Sequence, residues 1–125
     1  MEESPEQPAA LLSPYRVLDL TDERGEIAGM VLGDLGADVI KVEPPGGTSA
    51  RSCAPLLRDG VESQRSLQFT AFNRNKRSIV LDLEQQQDRD TLLQLVAGAD
   101  FLLEPFPGSE LARQDISFEQ LREVN

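Results

Sequence analysis

A chain of 125 residues fits within one ordinary domain with a modest core, and its 39% hydrophobic and 27% charged composition excludes a disordered polypeptide. With 22 acidic residues against 12 basic ones, a formal net charge of −10 and a single cysteine, it repels nucleic acid and anionic membranes and cannot close an internal disulfide. Without any histidine, Cys53 has no neighbour for metal ligation or for activation as a nucleophile; a reducing, cytoplasmic setting follows from that cysteine usage.

Residues 1–13, acidic and proline-containing, read as a mobile tail, because no basic stretch precedes an apolar one as a secretory signal requires. The segment YRVLDL (15–20) follows Pro14 and reads as a strand; ERGEIAGMVLGDLG (23–36) sets Ile27, Met30, Val31 and Leu35 at helical spacing. A second strand, ADVIKVE (37–43), stops at Pro44-Pro45-Gly46-Gly47. Asp34 and Asp38 interrupt the longest apolar stretch, well short of the roughly 18 residues a membrane span needs. Residues 48–65 show no periodicity and read as an irregular excursion. SIVLDL (78–83) is a third strand, residues 84–99 a helix with Leu92, Leu93 and Val96 on one stripe, and DFLLEPF (100–106) a fourth strand ended by prolines. Ser117 and Gln120 have the spacing of a capping box, which starts a last helix.

Alternating strands and helices predict an α/β fold with a parallel sheet and crossover helices. Ligands in such sheets collect at the carboxyl ends of the strands, which directs attention to 21–25, 44–49 and 105–109, and to the loop 73–77 that enters the third strand.

That last loop holds Arg74, Lys76 and Arg77 between Asn73 and Asn75. Guanidinium forks and an ammonium can grip phosphate, and the absence of interleaved aromatics favours a small phosphorylated ligand over nucleic acid; the plainer reading is a solvated loop whose charges offset nearby acids. Gly25, Gly29 and Gly33 recur every four residues at a cost of up to ~1 kcal/mol each relative to Ala. Tight packing accounts for Gly29 and Gly33, and Gly25 stays open between packing and a ligand's approach to the helix start. The sequence PPGGTS is a turn, matching neither common phosphate-loop pattern. Carboxylates at Asp19, Asp22, Glu23, Glu26, Glu43, Asp82 and Glu104 define no acid/base pair by spacing, and most read as surface charges.

Taken together, VLDLTDERGEIAGMVLGDLGADVIKVEPPGG, FNRNKRSIVLDL and ADFLLEPFPG…FEQLREVN resemble, in order and spacing, the N-terminal portion of the class III coenzyme A transferases, the CaiB/BaiF-type family that includes acyl-CoA racemases. The resemblance spans about residues 15–125. It implies a Rossmann-like domain, here incomplete relative to the whole family fold. Residues 14–125 would bind CoA, and the whole enzyme would transfer CoA between an acyl-CoA and a carboxylic acid, without a metal, as a homodimer of interlocked chains.

Carried over by position, the resemblance assigns CoA contacts to Asn75, Lys76, Arg77, Phe106 and Arg113, and sets Gly25 at the glycine of the family's A-G-P active-site loop. The family's catalytic Asp lies downstream of the matched segment, so no catalytic residue is assigned within 1–125 and the segment alone is expected to be inactive. Three positions depart from the pattern: Asp22-Glu23-Arg24-Gly25-Glu26 replaces x-x-A-G-P, Pro44 stands where some members have Arg, and Pro105 replaces Asn. An acyl-CoA racemase, or a non-catalytic nucleotide-binding or assembly module, are the alternative readings.

Overall fold

The strand segments form one parallel sheet in a computed structural model of the chain, which describes residues 10–61, 64–105 and 110–125. In chain order the elements are β1 (Arg16–Asp19), α1 (Glu26–Asp34), β2 (Asp38–Glu43), a 3-10 turn (Ser49–Ser52), α2 (Leu67–Asn73), β3 (Arg77–Val80), α3 (Gln86–Ala97), β4 (Phe101–Leu103), α4 (Glu110–Arg113) and α5 (Phe118–Val124). All pairings are parallel and the strand order is β3-β2-β1-β4. Helical crossovers are what parallel neighbours require. Among the described residues no helix is long and apolar enough to cross a membrane.

The two faces of the sheet are chemically different, and the two-residue period of the strands decides which residue goes where. Leu18, Ile40 and Val42 point to the α3 side, where they join Leu81, Leu83, Leu92 and Val96 in the main core. Leu18 and Leu92 are fully buried, and each such side chain contributes about 1.5–3 kcal/mol, so this face supplies most of the stability. The opposite face has a small apolar patch of Val17, Ala37 and Val39. Further along the same strands, this face turns polar: Asp19, Lys41 and Glu43 are all buried.

That polar layer explains the orientation of α1. Its apolar positions Ile27, Val31 and Leu35 face outward, 41–52% exposed, while Glu26 and Gly29 are buried. Gly29 has no room for a side chain: a Cβ there would lie 2.5 Å from Asp19 Oδ2 and 3.0 Å from Lys76 Nζ. At Gly33 a Cβ would meet Asn75 Nδ2 at 2.7 Å. The glycine repeat is therefore a packing device, and what packs against it is polar.

Two helices were not expected from the sequence. Helix α2 begins at Ser66, whose hydroxyl accepts from Phe69 N at 3.1 Å, and it runs to the start of the basic loop. The four-residue α4 falls in the stretch after β4. The capping box predicted at Ser117 is present in both directions: Gln120 N donates to Ser117 Oγ at 3.2 Å, and Ser117 N donates to Gln120 Oε1 at 2.8 Å.

Candidate functional site

Chain order runs outward from β1 to β2 to β3, then returns to set β4 on the other side of β1. The crossover direction reverses there, which makes the carboxyl ends of β1 and β4 the topological switch point, where a doubly wound sheet usually takes its ligand in a crevice. The segment Leu20–Gly25 after β1 would form the first wall of such a crevice, and Glu104 after β4 would open the second.

The first wall is held from beneath by buried charges. Asp19, at the end of β1, accepts from Thr21 N at 2.9 Å and Thr21 Oγ1 at 2.6 Å, both on Oδ1. Its other oxygen, Oδ2, accepts from Lys76 Nζ at 2.7 Å. The same ammonium donates to Glu26 O at 2.7 Å and Asn73 Oδ1 at 2.9 Å, so its three protons are all placed. Lys41 Nζ donates to Thr21 O and lies 3.5 Å from Asp19 Oδ1. Burial pulls the Lys41 ammonium below the ordinary lysine range; Asp19 opposes this and Lys76 adds to it. Glu26 completes the cluster by accepting from Asn73 Nδ2 at 2.8 Å on Oε2, with Oε1 left unpartnered among the described residues. Asp19 thus lies between two ammoniums in a space closed to water, the pairing that makes a buried charge tolerable.

A second buried carboxylate site lies under the loop after β2. Burial alone would raise the pKa of Glu43, but a two-pronged contact from Arg51, 2.7 Å on each prong, and a hydrogen bond from Thr48 N at 3.1 Å hold it below the usual range. Arg51 also lies 4.1 Å over the Phe69 ring, an attractive placement for a guanidinium. The hydroxyl of Ser49 donates to Glu23, which ties this loop to the one after β1.

The basic loop is spent on internal partners. Arg74 pairs with Asp34 at 2.9 Å, Lys76 with Asp19, and Arg77 grips Asp38 with two hydrogen bonds of 2.9 and 2.5 Å. That grip, with burial opposing it and Arg16 reinforcing it, holds the Asp38 carboxyl below its ordinary range. Asn75 Nδ2 donates to Met30 O at 2.9 Å and Asp34 Oδ1 at 2.7 Å. Arg77 opens β3, in register with Ile40, at the edge of the sheet away from β4 and at the strand's amino end. The structure therefore ties Asn75 to α1, Lys76 to β1 and the start of α1, and Arg77 to β2.

Gly25 is at the crevice, as the N-cap of α1, where a Cβ would meet Thr21 Cγ2 at 2.9 Å. Phe106 lies outside the described residues. Arg113 ends α4 and borders a cleft of about 490 Å³ shared with Arg89, Gln86, Gln114, Asp115 and Ile116. Arg89, on the first turns of α3, donates to Leu83 O at 2.7 Å and Gln86 Oε1 at 2.8 Å. Sequence reasoning passed over Arg89 and Lys41, and it counted Asp19, Glu26 and Glu43 among carboxylates that mostly read as surface charges, whereas all three are buried. For Lys41 and Glu43 the available signal was strand parity, since Val39, Lys41 and Glu43 alternate with Ile40 and Val42.

Comparison with known proteins is consistent from sequence to structure. The model of CoA-transferase family III matches residues 12–125. Succinyl-CoA:mesaconate CoA-transferase of Haloarcula hispanica is 44% identical over 91% of this chain and 29% of its own length. Acetyl-CoA:oxalate CoA-transferase of Acetobacter aceti is 37% identical over 99% of this chain and 31% of its own. Among solved structures, a CAIB/BAIF family protein from Brucella suis superposes with a TM-score of 0.81 at 36% identity, covering 94% of this chain and 31% of that one. The chain spans about three tenths of the length of these relatives.

Proposed function

The chain belongs to CoA-transferase family III, and from that premise we propose that residues 14–125 supply the CoA-binding part of an enzyme that moves coenzyme A between an acyl-CoA and a carboxylic acid. The observation that carries the reading is the reversal of strand order between β1 and β4, the position where a doubly wound sheet usually takes its ligand, with Gly25 on the segment that leaves β1. The thioester end of the ligand would lie at the first wall, beside Gly25. Phosphates would lie toward the cleft of Arg89 and Arg113, and Phe106 keeps the CoA contact that the resemblance assigns to it. Asn75, Lys76 and Arg77 enter this reading as residues that shape the walls, because Lys76 has no proton left for a phosphate and Arg77 is committed to Asp38.

No catalytic residue is assigned within the chain, which by itself is expected to bind and not to turn over. The enzyme is taken to be a cytoplasmic homodimer that needs no metal, and the outward stripe of Ile27, Val31 and Leu35 on α1 supports a partner surface on that side. An acyl-CoA racemase would use the same grip; assaying an enzyme carrying this segment for acid-to-acid transfer against α-epimerisation separates the two. Calorimetric titration of the folded chain with CoA tests the binding reading directly. Saturable heat is the expected result, weakened by Arg113→Ala; no heat at about millimolar CoA, roughly −4 kcal/mol on the affinity scale, would overturn it.

A further inference from the structure

We propose that Asp19 is a positioning residue: with Lys41 and Lys76 it fixes both ends of the Thr21–Glu26 segment from beneath and thereby sets the affinity of the crevice for its ligand. This rests on the CoA-binding reading for the identity of the ligand, and on geometry alone for the segment.

The hydrogen bonds of Asp19 divide between the two ends of that segment. Oδ1 takes Thr21 N and Thr21 Oγ1 where the segment begins. Oδ2 takes the ammonium of Lys76, which in turn holds Glu26 O where α1 begins. Lys41 holds Thr21 O from the neighbouring strand. Between these points the segment makes a turn of its own, in which Gly25 N and Glu26 N both donate to Asp22 O, and carries the Arg24 contact with Asp22 and the Ser49 contact with Glu23. Both of its ends are tied to the sheet by the charge cluster.

Asp19, Thr21, Glu26 and Lys41 are each at most 2% exposed, so none of them meets a ligand in the crevice. Their effect must pass through the backbone that they hold. A layer serving stability alone could be apolar, since well-packed hydrophobic replacements of buried ion pairs are often neutral or stabilising. What an apolar layer cannot do is hold a loop carbonyl and a loop amide at fixed points, and here the donors and acceptors end on those atoms. The same requirement accounts for Gly29, which leaves space for Asp19 Oδ2 and Lys76 Nζ.

The test is Asp19→Asn, nearly isosteric and without the charge, read by amide hydrogen exchange and by CoA titration. The amides of Asp22–Gly25 should exchange about tenfold faster and the CoA Kd should rise about tenfold, while those of Val39–Val42 keep wild-type rates. Should Asp19→Asn not fold, Thr21→Val removes one donor to Oδ1 and should show the same selective pattern at about threefold. Exchange that rises equally in the loop and in β2 would reduce the cluster to a stabilising role and overturn the inference. Unchanged loop exchange and CoA affinity in a folded variant would do the same. A wild-type chain that binds no CoA sinks the reading of the preceding subsection instead, and selective loosening of the loop in Asp19→Asn then decides the positioning role by itself.

Discussion

Replacing Gly29 by alanine sets two calculable effects against each other. Helix propensity favours the change by about 1 kcal/mol, because glycine is a poor residue in a helix interior. The added Cβ would stand 2.5 Å from Asp19 Oδ2, 3.0 Å from Lys76 Nζ and 3.1 Å from Lys76 Cε, well inside ordinary contact. Overpacking of this kind costs about 1–3 kcal/mol, and separation of the buried pair raises that to about 3–5 kcal/mol. The net expectation is a loss of roughly 2–4 kcal/mol, after the propensity gain is taken off. Urea unfolding followed by circular dichroism measures it, and Gly98→Ala serves as the comparison. A Cβ at Gly98 would lie 3.9 Å from Leu95 O and 4.0 Å from Arg16, so that variant should stay within about 0.5 kcal/mol. If Gly29→Ala equalled or exceeded the wild type in stability, the account of α1 packed against a fixed ion pair would be refuted.

The basic loop yields a contrast: Lys76→Met should cost about 3–5 kcal/mol because it strands a buried carboxylate, whereas Arg74→Ala, which removes an exposed pair with Asp34, should cost under about 1 kcal/mol. Equal losses in urea titration would contradict the burial argument. Glu43 is held below its ordinary range in the folded state, so its stabilising contribution is present above the unfolded value near 4.3 and is lost as pH falls through the folded value. Glu43→Gln should therefore flatten the fall of the unfolding midpoint below about pH 4, and an acid limb of unchanged slope would remove Glu43 as its source. Partial burial, then Glu23, Glu26 and Asp22, push the Cys53 thiol up; its alkylation by iodoacetamide should be slower at neutral pH than that of a free cysteine, with the rate rising only at higher pH. An alkylation rate at neutral pH equal to that of a free cysteine would argue against that acidic neighbourhood.

The sheet was legible because its signals are local. Short β-rich runs bounded by proline, and helices of ordinary spacing between them, led to four strands and the parallel arrangement, with most observed boundaries one to three residues inside the predicted ones, β2 ending at its predicted Glu43 and β3 opening one residue early at Arg77. Helix α2 was not legible, since Leu67–Asn73 is short, with aromatic and β-branched residues of modest helix propensity. It is supported by contacts distant in sequence, Arg51 over Phe69 and Asn73 to Glu26. The apolar spacing in α1 was read correctly as a helix. Which face turns inward was hidden, because the partner face is formed by Asp19, Lys41 and Lys76, residues that the chain brings together from three separate strand and loop segments.

The same distinction governs the candidate site. A composition argument can show that Arg74, Lys76 and Arg77 are a local concentration of positive charge, but charge alone cannot tell a ligand grip from an internal tie. Each cation meets its own carboxylate, at Asp34, Asp19 and Asp38, and the acids come from α1, β1 and β2. In a chain of net charge −10, folding consumes these cations to bring acidic segments together. Arg89 and Arg113 border a common cleft instead, which is why the proposed function sets the phosphates there. On the positioning role proposed for Asp19, the basic loop would act on the ligand one residue removed from contact, with Lys76 ordering the wall against which the ligand would lie.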